Sequence, residues 1–201
     1  MHARTPIALV SLSHSPSLAT RNLRRYCLAH EDVAPHVEFV LIDRDIREFL
    51  DSRTRSTQRL SFATAADEVL SSLQKVRPAI VAFSCYLWNT ELSIRLASQV
   101  KLLVPDVQIV LGGPDVGPRA TALLERHPEI DVIVDGDGEE PFLDLVRRRL
   151  GAQPAALADV PKITYRHGST IAQSSAPPRE SNLALLRNVF DDLPTSDELK
   201  R

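Results

Sequence analysis

Five short apolar runs, each separated from the next by a longer stretch of mixed polarity, constrain the fold of this chain more than any other feature. They are IALVSL (7–12), VEFVLI (37–42), AIVAFS (79–84), VQIVLG (107–112) and IDVIVD (130–135). Runs of this length with little polar alternation predict strands buried on both faces. The intervening stretches supply the cover. Phe62, Ala66, Val69, Leu70, Leu73 and Val76 recur at three- and four-residue spacing, as do Leu92, Leu96, Val100 and Leu103, which puts each set on one face of a helix. Leu18, Leu23, Tyr26 and Cys27 begin a further face, and Phe142, Leu145, Val146 and Leu150 form another.

Strand-helix alternation of this kind predicts an α/β fold: a five-stranded parallel, doubly wound sheet, flavodoxin-like or Rossmann-like, with helices on both sides. Pro78 and Pro105 stand between a helical pattern and the next run, where a missing amide and a restricted preceding residue end a helix. From Gly151 the pattern changes. KITYRHGSTIAQS reads as two short runs around His167 and Gly168, a β-hairpin, followed by SSAPPRES. The expected division is an α/β domain over 1–151 and a hairpin appendage with a linker or tail over 152–201.

Charge and cysteine content exclude several classes. With 24 basic and 26 acidic residues and a net charge of −2, the chain has no general attraction for nucleic acid or anionic lipid. The run RRR at 147–149 closes a helix, where basic residues suit the dipole and face solvent. Cys27 and Cys85 match neither a disulfide framework nor a zinc pattern, so no metal-ligating set is expected. No run approaches the ~20 apolar residues of a membrane span, and the N-terminal run is too short for a signal peptide. The expected location is cytoplasmic.

In an open parallel sheet the loops beyond the carboxyl ends of the strands surround the ligand. After the first run comes SLSHSPSLATRNL, with four serines ahead of a helix. Ser15 or Ser17 can cap that helix, worth about 1 kcal/mol. Capping accounts for one serine and not four, which leaves hydroxyls able to bind the phosphate or amides of a ligand. After the third run comes FSCYLWNTE (83–91), with the only Trp of the chain. Asn89 or Thr90 can cap the next helix, and Glu91 suits its first turn. Tyr86 and Trp88 cap nothing. Their rings either plug the core or offer a flat apolar surface to a large ring system, and the second reading is preferred.

After the fourth run, GGPDVGP (112–118) permits close backbone approach, by a ligand or by a tight strand-to-helix turn. After the fifth, DGDGEEPF (135–142) adds Gly136 and Gly138 at a helix entrance. The helix dipole accounts for Glu140, while Glu139 can also accept hydrogen bonds from a ligand. Four such loops at one rim describe a long polar groove beside a flat platform.

The ordered set SLSHSPSLATRNL, VAFSCYLWNTE, VLGGPDVGPRA and VIVDGDGEEPF resembles the cobalamin-binding domain at the N-terminus of cobalamin-dependent radical SAM enzymes, over roughly residues 6–150. The hairpin near KITYRHGSTI resembles the segment that follows in that family. The resemblance implies cobalamin as cofactor, with its nucleotide tail beside the sheet and its corrin ring over the strand ends. It implies that Ser84, Gly112 and Gly113 form the tail channel, and that Asp137, Gly138 and Glu139 contact the tail or the corrin edge. Tyr86, Leu87, Trp88 and Asn89 would face the lower side of the ring, and Ser13, Ser15 and Ser17 would meet cofactor amides or phosphate. Leu18, Cys85, Pro114, Asp115, Gly136 and Phe142 complete the implied contacts.

Two departures shape the expected function. No His lies in an Asp-x-His-x-x-Gly frame, although His14 occupies the corresponding loop. The resemblance therefore implies a base-off cobalamin with an unligated lower face near Leu87 or Trp88, which favours a four-coordinate reduced cobalt suited to methyl transfer. Nor is there a Cys-x-x-x-Cys-x-x-Cys motif, which a radical SAM cluster needs. The chain is expected not to catalyse alone but to serve a radical SAM catalytic domain or partner protein, as a free-standing module or a piece of a longer enzyme. NVFDDLPTSDELKR (188–201) would stand where the family's linker begins. The rival readings are a flavodoxin-like FMN protein, with flavin phosphate on the first loop and Trp88 on the ring, and a ligand-free regulatory or scaffold domain. A phosphorelay receiver is disfavoured, since serines stand at the first strand end where it needs acidic residues.

Overall fold

All five apolar runs form strands, and the hairpin adds two more. The computed structural model describes residues 3–47, 55–154, 156–179 and 181–186, without the side chains of 55–62, 64, 65 and 183. The strands are β1 (Thr5–Leu12), β2 (Val37–Arg44), β3 (Ile80–Ser84), β4 (Gln108–Gly112), β5 (Val132–Val134), β6 (Ile163–His167) and β7 (Thr170–Gln173). They lie in one sheet in the order β2-β1-β3-β4-β5-β6-β7. Neighbours from β2 to β5 are parallel, whereas β6 runs antiparallel to β5 and β7 antiparallel to β6.

The sheet is therefore mixed and has seven strands among the described residues, not the five parallel strands expected. The reason lies at β5. It is only three residues long and would leave an open edge. Val132 pairs with Tyr165 and Val134 with Ile163, and both hairpin residues are buried, so the hairpin extends the sheet.

Five described helices cover the two faces: α1 (Leu18–Leu28), α2 (Arg55–Val76), α3 (Thr90–Leu103), α4 (Ala120–Arg126) and α5 (Glu139–Arg149). The period-two alternation of the strands splits the core into two layers. One joins Val10, Val81, Phe83, Ile109 and Leu111 to Val69 and Leu73 of α2, Leu96 of α3 and Leu124 of α4. The other joins Leu9, Ala82, Val110 and Val134 to Tyr26 of α1, to Phe142 and Val146 of α5 and to Ile163 and Tyr165 of β6. Helix α4 was not visible in the sequence pattern, since its seven residues are too few to show a repeat. The side chain of Phe62 and the segment 188–201 lie outside the described residues.

Tertiary contacts use some groups assigned to solvent in the sequence. Arg147 reaches from α5 to Asp32, Nε to Oδ2 at 2.7 Å, so the arginine run is not wholly a solvated face. The Tyr26 hydroxyl donates to Glu140 and accepts from the Asn182 amide at 3.2 Å. Arg179 meets buried Asp144. These contacts lay the chain after β7 against α1 and α5. No described helix is long and apolar enough to cross a membrane.

Candidate functional site

Strand register places Asp43, Ser11, Ser84, Gly112 and Val134 side by side across β2, β1, β3, β4 and β5. Two residues earlier on the same face come Leu9, Ala82 and Val110. Small residues where a parallel sheet would carry bulky ones leave the α1 and α5 helices standing off its carboxyl end. The result is a cleft of about 250 Å³. Its floor is Leu9, Ala82, Val110, Val134 and Phe142, its α1 wall is Ala19, Thr20, Asn22 and Leu23, and its mouth carries Ser84, Tyr86, Gly112, Gly113, Asp137, Gly138 and Glu139.

That volume is near the low end for ligand pockets. A cleft of that size admits a slender group and is too small for a macrocycle. Gly112 keeps the cleft wide: a Cβ there would meet only Val134 Cβ at 3.8 Å, so nothing in the backbone demands glycine. Gly113 differs. Its φ is +126°, and a Cβ would stand 2.1 Å from the Cys85 carbonyl oxygen, so the turn itself requires glycine. Gly136 also holds a positive φ, +73°. Pro114 and Asp115 do not line the cleft; Asp115 is turned to Arg119 at 2.5 Å.

The FSCYLWNTE segment divides into a buried clamp and an exposed platform. Asn89 is 0% exposed. It occupies the N-cap position of α3 but makes no capping bond. Instead its Oδ1 accepts from the Tyr86 amide at 2.7 Å, and its Nδ2 donates to the carbonyls of Leu12 at 2.9 Å and Ser84 at 3.0 Å. The carboxamide thus ties the ends of β1 and β3 together. Cys85 is buried in the layer opposite the cleft, and burial pushes its thiol up to about 12. By contrast, Trp88 is 57% and Leu87 84% exposed. The Tyr86 and Trp88 rings stack with centroids 4.8 Å apart and planes within 4°. They form a flat surface beside the cleft mouth rather than a core plug.

In the first loop most hydroxyls serve the loop. Ser17 caps α1 through the Thr20 amide at 3.4 Å, Ser13 donates to the Ser15 carbonyl, and the Ser11 and Ser13 hydroxyls lie 3.2 Å apart. Ser15 is exposed, and Leu18 is 40% exposed at the same rim. His14 Nδ1 lies 3.5 Å from Asp45 Oδ1, and the Arg47 hydrogen bond holds that carboxyl at about 2. Across the mouth, Asp137 is exposed and 3.8 Å from Lys162. Glu139 opens α5, while Phe142, 1% exposed, is core as well as floor. Among the described residues no group of three or more His, Cys, Asp or Glu could hold a metal ion.

The sequence did not single out Asn22, Thr20, Ala82 or Val110 as site residues. Ala82 carried a signal, a small residue at the centre of a bulky strand run. Asn22 carried none, because one polar residue on an amphipathic helix looks solvent-facing.

A family profile described as B12 binding domain matches residues 46–146, about half of the chain. The chain belongs to the B12 binding domain family, and cobalamin is its cofactor. The matched span starts after β2, so the serine-rich first loop lies outside it. Two curated relatives are similar over part of the chain. One is the cobalamin-dependent radical SAM methyltransferase TokK of Streptomyces tokunonensis, 39% identical over 94 residues, 47% of this chain and 14% of that protein. The other is the 2-(S-pantetheinyl)-carbapenam-3-carboxylate methyltransferase of Streptantibioticus cattleyicolor, 39% identical over 92 residues, 46% of this chain and 13% of that protein. The similarity thus spans about one seventh of either relative. A solved structure, the periplasmic domain of a Salmonella ser. Paratyphi A lipopolysaccharide acetyltransferase, covers 76% of this chain and 66% of that one at a TM-score of 0.40 and 12% identity, a likeness too low to argue from.

Proposed function

We propose that the chain holds cobalamin base-off, with the nucleotide arm in the cleft and the corrin over the Tyr86 and Trp88 platform, and that it serves methyl transfer together with a radical SAM catalytic domain, fused or separate. Bound cobalamin supplies a cobalt that accepts a methyl group and passes it on. The chain's own residues bind and orient it: Ser84, Gly112, Gly138 and Glu139 surround the arm, and Leu87 and Trp88 screen the lower face from water. In this reading residues 1–151 are the cofactor module, 152–201 lead toward the catalytic partner, and the setting is cytoplasmic.

The observation that carries the reading is the exposed Tyr86 and Trp88 stack beside a cleft kept open by Gly112. Exposed apolar side chains grouped beside a cleft, as Leu87 and Trp88 are, mark a ligand surface in a way that single ones do not. Support for a lower face without histidine comes from His14, which stands against Asp45 and lacks the Asp-x-His-x-x-Gly frame. The names of the two methyltransferase relatives favour methyl transfer.

The test is electron paramagnetic resonance of the chain loaded with cob(II)alamin, the paramagnetic one-electron-reduced form. The expected cobalt hyperfine lines lack nitrogen splitting. Threefold splitting that disappears in His14→Ala would make His14 a ligand and overturn the lower-face assignment, and splitting that persists would show the benzimidazole still coordinated.

A further inference from the structure

The α1 wall of the cleft carries a polar group whose partner is missing. Ala19, Asn22, Leu23 and Tyr26 recur at three- and four-residue spacing on the side of α1 that faces the sheet. Ala19, Asn22 and Leu23 line the cleft, and Tyr26 is in the core beside it. Of these, only Asn22 carries a carboxamide, and it shares the wall with Thr20. Its Oδ1 is buried and accepts no hydrogen bond. The neighbouring polar side chains are engaged elsewhere: Thr20 donates to the Ser17 carbonyl at 3.0 Å, and the Tyr26 hydroxyl donates to Glu140. A buried acceptor with no donor is unfavourable, and its neighbours offer none.

We infer that the Asn22 carboxamide oxygen accepts a hydrogen bond from a sugar hydroxyl of the cofactor's nucleotide arm, and so selects corrinoids that carry the arm. The inference rests on the reading that the arm enters the cleft. Chemistry narrows the donor. The phosphate oxygens and the open nitrogen of the benzimidazole only accept, and the linker amide lies at the corrin end of the arm. The ribose hydroxyls are the donors left for a group set in the α1 wall. The contact forms only with a ligand in place, so it discriminates between ligands without stabilising the empty fold.

The test compares the wild-type chain with Asn22→Leu, measuring affinity for hydroxocobalamin and for cobinamide, which has no nucleotide arm. Asn22→Leu is expected to weaken cobalamin about tenfold, leave cobinamide unchanged, and leave the melting temperature of the ligand-free chain unchanged or raised, since it removes an unpaired polar atom. Unchanged cobalamin affinity, or an equal loss for both ligands, overturns the assignment of Asn22 while the cleft reading stands. A wild-type chain that binds cobalamin no better than cobinamide overturns both. Were Asn22→Leu to unfold, Asn22→Ala carries the same comparison.

Discussion

Gly113 and Cys85 meet backbone to backbone where β4 and β3 end: a Cβ on Gly113 would stand 2.1 Å from the Cys85 carbonyl oxygen, while the Cys85 amide donates to the Gly112 carbonyl at 2.7 Å. This junction separates two adjacent glycines that look alike in sequence. Gly113 shapes the turn, and Gly112 leaves open space in the cleft.

The two glycines should therefore fail differently. Gly113→Ala forces both a backbone clash and a positive φ on a side chain, and is expected to cost about 2 kcal/mol or more of stability with or without cobalamin. Gly112→Val puts a β-branched residue in a strand, where it is tolerated, but fills the cleft. It should fold with a near-normal melting temperature and bind hydroxocobalamin at least about tenfold more weakly. Denaturant unfolding and equilibrium dialysis distinguish the two.

Asn89→Ala leaves the Tyr86 amide without its acceptor and the Leu12 and Ser84 carbonyls without a shared donor. Loss of a fully buried clamp of this kind is expected to cost about 2–4 kcal/mol, read from urea unfolding. Leu87→Ala, at an 84% exposed residue, should change stability by less than about 0.5 kcal/mol.

How far the fold was legible follows from such residues. Each of the five runs formed a strand because a doubly buried strand has no other way to hide its apolar side chains. The attachment of β6 to β5 was not legible, since it depends on the pairing of Val132 with Tyr165, a long-range fact with no local signature. In the site, the aromatic pair was readable because capping could not explain it. Asn89 misled, since an Asn before a helix looks like a cap, and only the fold brings the Leu12 carbonyl, 77 positions away, within its reach.

Both cysteines should be inert in the folded chain. Burial pushes the Cys85 thiol up to about 12 and raises that of Cys27 further, so both stay protonated at pH 8, and both are fully covered. Titration with an aromatic disulfide reagent should find close to no reactive thiol under native conditions and two after denaturation.

Tyr26 makes alkaline stability pH-dependent. Burial, reinforced by its hydrogen bond to Glu140, pushes its hydroxyl up to about 12 from the ordinary 10.0. Because the folded value is raised, the stability it contributes is complete below pH 10 and is lost as pH rises through about 12. Tyr26→Phe should flatten the fall in melting temperature above pH 10. Ultraviolet titration should find a late-ionising tyrosine in the wild-type chain that the variant lacks.

The most direct test of a corrinoid lying over the platform uses the single Trp of the chain, Trp88. Titrating hydroxocobalamin into the protein, with correction for light absorbed by the ligand, should quench Trp88 fluorescence to a plateau at one equivalent. Emission that declines no more than that of free tryptophan at the same cobalamin concentrations would contradict it.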